Sequence, residues 1–225
     1  MLVNPVDLSG SGMTSQRARE RLLQSLQDQG IDNQAVLDAM RKVPRHIFLD
    51  EALAHRAYEN TALPIGHSQT ISQPYIVALM TQLVLAWGPR HKVLEVGTGS
   101  GYQAAVLAHL VTKVYTVERI KPLLVKARER FRQLGLRNII SGHSDGGEGW
   151  AQYAPYDAII GTAAPQQVPE QLLHQLAANG ILVIPVGAEG AQELRVIQRM
   201  GDTNNFEEEV ITKVRFVPLV SGVLR

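Results

Sequence analysis

Residues 95 to 101, Glu-Val-Gly-Thr-Gly-Ser-Gly, place three glycines at alternate positions, Gly97, Gly99 and Gly101, just behind a carboxylate, Glu95. Glycine takes φ > 0 without steric cost and lets a ligand approach the main chain. Three of them where an apolar strand runs into a helix therefore suggest a binding loop. The spacing separates two kinds of ligand. A dinucleotide fingerprint, G-x-G-x-x-G, ends on a glycine that packs helix against strand behind a pyrophosphate. Here Tyr102 stands at that place, and no Lys-Ser/Thr pair follows as in a P-loop. Glu95 would repel a phosphate but suits a cation. The expected ligand is nucleoside-like, with a positive end and no phosphate; the plainer alternative is that the glycines only shape a tight turn.

Two more acids and a hydroxyl have suggestive positions. Glu118 lies 17 residues past Gly101, near the spacing at which an acid accepts ribose hydroxyls in nucleotide folds. Its bland reading is a solvent-exposed charge paired with Arg119. Asp145, in Ser144-Asp145-Gly146, could accept from an adenine amino group or simply occupy a turn before glycine. Ser72 precedes Gln73-Pro74, and Pro74 suits the first position of a helix, so either Ser72 or Gln73 is the expected N-cap. Generic chemistry favours capping there over holding an anion at the helix N-terminus.

The elements that would position these groups alternate. A strand over 93–96 leads through the glycines into a helix. A second strand, Val114 to Glu118, is followed by a helix over 121–135 and a third strand over 138–142. A fourth strand (156–160), a helix over 168–180 stopped by Gly180 and a fifth strand (181–187) complete the series. Such alternation implies an α/β fold, a doubly wound, mostly parallel sheet with helices on both faces. Ligands of such sheets bind outside the carboxyl ends of the strands at the switch point, which would bring Gly97–Gly101, Glu118 and Asp145 together. The tail segments QELRVIQRM and EEEVITKVRFVPLV, separated by GDTNN, read as an antiparallel C-terminal strand pair on the sheet edge. Ahead of the sheet come N-terminal helices: an amphipathic one over 15–29 stopped by Gly30, and a second capped by Asp32 and ended by Pro44. Short helical turns over 45–58, a polar loop over 59–73 and a helix over 75–87 follow.

The 225 residues suit one domain, expected over 15–225 after a flexible lead at 1–14 in which Met13 is an alternative start. Within it, 15–90 would form a helical cap and substrate loop, 91–190 the cofactor-binding core and 191–225 the antiparallel tail. A composition 45% hydrophobic and 19% charged, with net charge +1, gives no global drive toward nucleic acid or anionic membrane. Arg17, Arg19 and Arg21, and the basic run Lys121, Lys126, Arg128, Arg130 and Arg132, are interrupted by Glu20 and Glu129 and read as solvated helix faces. With no cysteine there is neither disulfide framework nor thiolate nucleophile. The seven histidines lack metal-ligand spacing, so no metal is expected. Trp150 and Tyr153 are expected to pack under the cofactor loop. The first residues carry no basic and apolar regions of a signal peptide, which gives the expectation of a cytoplasmic, monomeric protein with no membrane partner.

Seven segments, QTISQPY (69–75), VLEVGTGSGY (93–102), VERI (117–120), DGGEGW (145–150), TAAP (162–165), LVIPVG (182–187) and VRFVPLVSG (214–222), resemble motifs of the protein-L-isoaspartate O-methyltransferase family. The likeness runs from about residue 15 to the end. The first and last segments are not general methyltransferase features and so carry its specificity. The resemblance implies a Rossmann-like methyltransferase fold, S-adenosyl-L-methionine as cofactor, and isoaspartyl-containing proteins and peptides as substrates. It implies that Ser72 is the active-site hydroxyl, Glu118 the ribose ligand and Asp145 the adenine-side acid. The cofactor set expected on this footing is Glu95, Gly97, Thr98, Gly99, Ser100, Gly101, Glu118, Asp145, Gly146 and Thr162. Substrate contacts are expected from Ile71, Ser72 and Gln73 and from Val217, Pro218 and Leu219, where Pro218, lacking an N–H, would leave a sheet edge open for peptide. Ser144 and Gly161 depart from the usual pattern, as does the long lead. An RNA or small-molecule methyltransferase of the same fold leaves QTISQPY and VRFVPLVSG unexplained, and a non-catalytic cofactor-binding module would not need the substrate-side loop.

The implied chemistry agrees with the residues present. An isoaspartyl carboxylate, with a pKa of roughly 3 to 4, is ionised at neutral pH and needs no general base. Catalysis then rests on alignment and on excluding water, and a neutral hydroxyl can orient one carboxylate oxygen without quenching the other.

Overall fold

The computed structural model describes residue 8 and residues 10–224; of the expected lead, residues 1–7 and 9 lie outside the described residues, and Gly12–Thr14 form a 3-10 turn. The N-terminal layer comprises α1 (Gln16–Asp28), α2 (Gln34–Lys42), a 3-10 turn at Arg45–Phe48 and α3 (Glu51–Ala54). Ser15 caps α1 by accepting from Ala18 N, and Gly30, at φ +94°, follows its end. The cap of α2 is Asn33, not Asp32: the Asn33 side chain accepts from both Ala35 N and Val36 N. The helix starts one residue later than expected, and the Asp32 and Asn33 N–H groups ahead of it both donate to the Gln82 side-chain carbonyl. Leu22, Leu23 and Leu26 point inward as the pattern requires. Arg19 departs from the solvated face expected of it. It is 5% exposed and donates to the Tyr58 hydroxyl and the Arg41 carbonyl.

The polar loop contains a hairpin, β1 (Leu63–Gly66) with β2 (Gln69–Ile71), whose Leu63, Ile65 and Ile71 are buried. Its two connecting residues, His67 and Ser68, both have positive φ (53° and 56°), the geometry of a tight hairpin turn. That turn usually advertises itself with Asn-Gly or Asp-Gly, which is why the residues here read as plain loop. The next helix, α4 (Pro74–Leu85), begins at the proline as expected.

The core sheet is made from apolar runs flanked by helices: β3 (Lys92–Val96), β4 (Lys113–Glu118), β5 (Ile139–His143), β6 (Tyr156–Gly161) and β7 (Leu176–Val186). The tail adds β8 (Gln192–Arg199) and β9 (Phe206–Val214). Strand order is β5-β4-β3-β6-β7-β8-β9; the first five strands pair in parallel and the last two join antiparallel as a meander. Order reverses between β3 and β6, so the switch point lies at the carboxyl end of β3. Helices α5 (Tyr102–Ala108) and α6 (Lys121–Gln133) join α4 and the N-terminal layer over Val93, Val114 and Ala158. The other face, around Leu94, Tyr115 and Ile159, is covered by α7 (Glu170–His174), Trp150 and Tyr153.

Two expectations change here. The helix after β6 ends at His174, and residues 176–180, expected as its second half, belong to β7; Leu176 pairs with Tyr156 before the register shifts. Trp150 and Tyr153 do pack, but against Tyr115 and over Gly142, where a Cβ would lie 2.8 Å from the indole, rather than under the glycine loop. Among the described residues, no helix is long and apolar enough to cross a membrane.

Candidate active site

Parallel pairing of β3 with β4 sets Glu95 opposite Thr116 and brings Val96 beside Val117. The chain leaving β3 then folds back on β4: Gly97 N and Thr98 N both donate to the Val117 carbonyl, at 2.9 and 3.1 Å. Gly97 sits at φ +98°, and a Cβ there would lie 2.4 Å from Thr162 Oγ1, which itself donates to the Val96 and Gly97 carbonyls. Only glycine fits that position. Gly101, at φ +91°, is the N-cap of α5 and lies against Phe131, underneath the loop rather than on its ligand face.

The two acids of this crevice are both buried but differently employed. Glu118, 5% exposed, accepts from Gly99 N and Ile120 N at 2.8 Å, one oxygen each, which fixes its carboxylate and leaves a lone pair on each oxygen for a ligand. Its bland reading, a solvated partner of Arg119, is thereby excluded. Glu95 is fully buried. Thr98 donates to Thr116, which donates to Glu95 Oε2, while Oε1 has no partner among the described residues. Burial, against the pull of the Thr116 hydrogen bond and reinforced by the Glu118 charge, pushes Glu95 up to about 8.

Glu95 and Glu118 line a cavity whose wall also includes Ile71, Ser72, Ser100, Gly146, Thr162, Val217 and Leu219. Ser72 is half-buried and does not cap α4. The N-cap is Gln73, and Asn60 Oδ1 takes the Tyr75 N–H instead. The Ser72 hydroxyl thus makes no hydrogen bond to the described residues. Gln73 and Pro218 lie in adjoining troughs rather than in this wall. The segment around Pro218 is paired on one side only, and the nitrogen and carbonyl of Pro218 itself face the other. Flanking groups of the segment pair with Ala164, whose N–H donates to the Val217 carbonyl and whose carbonyl accepts from Leu219 N, both at 2.8 Å. Asp145 stands next to Gly146 but outside the wall, its oxygens accepting from Gly147 N and Gly222 N.

A model of the family "Protein-L-isoaspartate(D-aspartate) O-methyltransferase" matches residues 16–224. The chain belongs to this family. A relative from Cellvibrio japonicus, a protein-L-isoaspartate O-methyltransferase, is 62% identical over 219 residues, 97% of this chain and 98% of its own. Another of that name from Hahella chejuensis is 60% identical, covering 95% and 100%. Among solved structures, a protein-L-isoaspartate O-methyltransferase superposes with a TM-score of 0.82 at 26% identity, over 91% of this chain and 67% of that one. A putative family member from Plasmodium falciparum in complex with S-adenosyl-L-homocysteine gives 0.77 at 27% identity, over 90% and 98%.

The crevice fits the cofactor of this methyltransferase family, S-adenosyl-L-methionine. Glu95 puts a buried carboxyl on its wall, and the Glu118 carboxylate, pinned by two main-chain N–H groups, keeps acceptor capacity. The glycine backbone between them leaves space for a nucleoside.

Several functional residues escaped the sequence reading. Thr116, the hydroxyl behind Glu95, is recognisable only from the β3–β4 register. Gln69, Thr70 and Tyr102 line the cavity from within the motif segments although no role was expected of them, and Val77 and Gln103 line it from outside those segments. Arg130, assigned to a solvated face, instead donates to the Ser100 carbonyl at 2.9 Å and steadies the glycine loop.

Proposed function

We propose that this chain methylates the free carboxylate of L-isoaspartyl residues in proteins and peptides, with Ser72 as the hydroxyl that orients that carboxylate. The observation that carries the reading is the Ser72 hydroxyl, left without a hydrogen-bond partner among the described residues on the same cavity wall as Glu95 and Glu118. When bound, the cofactor supplies a methyl group on a sulfonium. Glu118 accepts the ribose hydroxyls, Glu95 lies on the wall toward the positive end, and Thr98, Ser100, Gly146 and Thr162 complete that side. Gly97, Gly99 and Gly101 give the loop its shape. Asp145 holds the turn at Gly147, and each of its oxygens, accepting one main-chain N–H, keeps a lone pair with which to accept from adenine.

On the substrate side, Ser72 donates to one carboxylate oxygen and leaves the other to attack; the nucleophile is already ionised, so no base is required. Ile71 and Leu219 are apolar neighbours that exclude water from the carboxylate. Gln73, Val217 and Pro218 border the troughs that continue past Ser72 and Thr162, a course suited to extended peptide. The ester leaves more readily than the acid, so the following backbone nitrogen closes a succinimide that hydrolyses in part to normal aspartate. The same reading assigns 15–90 to the cap and substrate loop, 91–190 to cofactor binding and 191–225 to the tail. It takes the protein as a monomer of the cytoplasm with no nucleic-acid partner, the last supported by a net charge of +1.

An isoaspartyl residue displaces its carboxylate by about one bond from an aspartyl side chain, and a misplacement of about 1 Å costs on the order of a hundredfold. Radiolabelled methyl transfer to an isoaspartyl peptide should therefore exceed transfer to its aspartyl isomer by at least about a hundredfold. Comparable labelling of both would reject this reading in favour of a general carboxyl methyltransferase.

A further inference from the structure

Arg45 opens the 3-10 turn after Pro44, and its side chain is fully enclosed, at 0% exposure. A buried guanidinium repays its lost hydration only where its hydrogens are well used. Among the described residues no carboxylate pairs with it; burial draws its pKa down to about 10, which leaves it charged at neutral pH. Two of its three nitrogens donate to main chain instead, and Nη1 is left without a partner among the described residues. Nε donates to the Ala57 carbonyl at 2.9 Å and Nη2 to the Ser72 carbonyl at 2.8 Å. The guanidinium carbon lies 4.8 Å from the ring centroid of Tyr102, the residue after Gly101.

The same turn also grips the glycine loop. Arg130 donates to the Ile47 carbonyl at 3.0 Å while holding the Ser100 carbonyl, and Phe48 meets Tyr102 edge-on at 5.4 Å. We propose that Arg45 is a positioning residue for methyl transfer: from a turn tied to the glycine loop, it holds the Ser72 main chain so that the Ser72 hydroxyl stands at a set distance from the cofactor. This rests on Ser72 being the substrate-side hydroxyl. That hydroxyl hangs from the same Cα as the gripped carbonyl and has no hydrogen-bond partner among the described residues, so drift of the main chain passes directly to it. Lysine cannot replace the fork, because a point charge does not reproduce two bonds diverging from one plane.

The test measures kcat with an isoaspartyl peptide, the Kd of S-adenosyl-L-homocysteine by calorimetry, and Tm. The proteins are wild type, Arg45→Lys, Arg45→Met, Ser72→Ala and each Arg45 change combined with Ser72→Ala. In the folded single variants kcat should fall on the order of tenfold to a hundredfold while Kd stays within about threefold. In the Ser72→Ala background the same changes should cost less than about threefold more, because the group they position is gone. The proposal is overturned by an unchanged kcat in a folded Arg45 variant, or by equal losses with and without the Ser72 hydroxyl. Failure of both Arg45 variants to fold would also overturn it, since Arg45 would then serve the core alone. Full activity of Ser72→Ala by itself would instead refute the role of Ser72, and that single measurement separates the two failures.

Discussion

At the cofactor end of the crevice, the loop from Gly97 to Gly101 is tied within two adjacent strands: Gly97 and Thr98 to the Val117 carbonyl, Gly99 to the Glu118 carboxylate. At the substrate end, Ser72 is held through its carbonyl by Arg45, 27 positions away, and its hydroxyl has no hydrogen-bond partner among the described residues. The first arrangement suits a ligand that is the same at every turnover, since each donor and acceptor can be set in advance. The second suits a variable peptide in which only one carboxylate is constant, and fixes the frame while leaving the contacting group available. Preorganisation at one end thus rests on several ties, to which Thr162 and Arg130 add their grips on the Gly97 and Ser100 carbonyls, and at the other on the hold of Arg45 on a single carbonyl.

The sharpest way to break this contrast is Ser72→Ala. It should reduce kcat for an isoaspartyl peptide on the order of a hundredfold, with calorimetric cofactor affinity nearly unchanged. A parallel loss of cofactor affinity would show that the two ends are not separable.

Glu118→Ala addresses the other end. Losing charge-assisted bonds to two ribose hydroxyls should weaken cofactor binding by about 1.5 to 3 kcal/mol, roughly tenfold to over a hundredfold. Because Glu118 also holds Gly99 and Ile120, Tm should fall as well. An unchanged Kd in the folded variant would remove Glu118 from the site.

The smallest effect concerns the second acid. In the cofactor-free protein burial pushes Glu95 up from its ordinary 4.5 to about 8, so between those values the folded state holds a proton that the unfolded state has lost. The resulting stabilisation is complete below about pH 4.5 and is lost as pH rises through about 8. Glu95→Gln, neutral throughout, should therefore show a smaller decline in Tm from pH 6 to pH 9 than wild type. Equal declines would mean that Glu95 is ionised in the free enzyme.

The contrast also marks how much could be read beforehand. Short-range rules were sufficient for β3, the glycines and β4, because hydrophobic runs, φ > 0 positions and the interval from Gly101 to Glu118 are properties of neighbouring residues. They were enough for the antiparallel tail too. They failed where a nearby group outcompeted the local signal: Asn33 took the cap from Asp32, Tyr156 drew residues 176–180 into a strand, and the hairpin turn formed without its usual residues.

The sequence by itself determined the parallel α/β framework, the glycine loop and its acids, and, through the motifs at both ends, the family. Only the tertiary structure decided what those acids do. Register put Thr116 behind Glu95, a folded-back loop gave both Glu118 oxygens a main-chain N–H, and Gly147 and Gly222 did the same for Asp145. It also turned Arg45 and Arg130, ordinary basic residues in the chain, into clamps on Ser72 and Ser100. The physical reason is that a side chain's role follows from which unsatisfied groups surround it. For residues whose partners lie 27 to 103 positions away, as with Arg45 to Ser72 and Arg119 to Gly222, that neighbourhood exists only after the chain has folded.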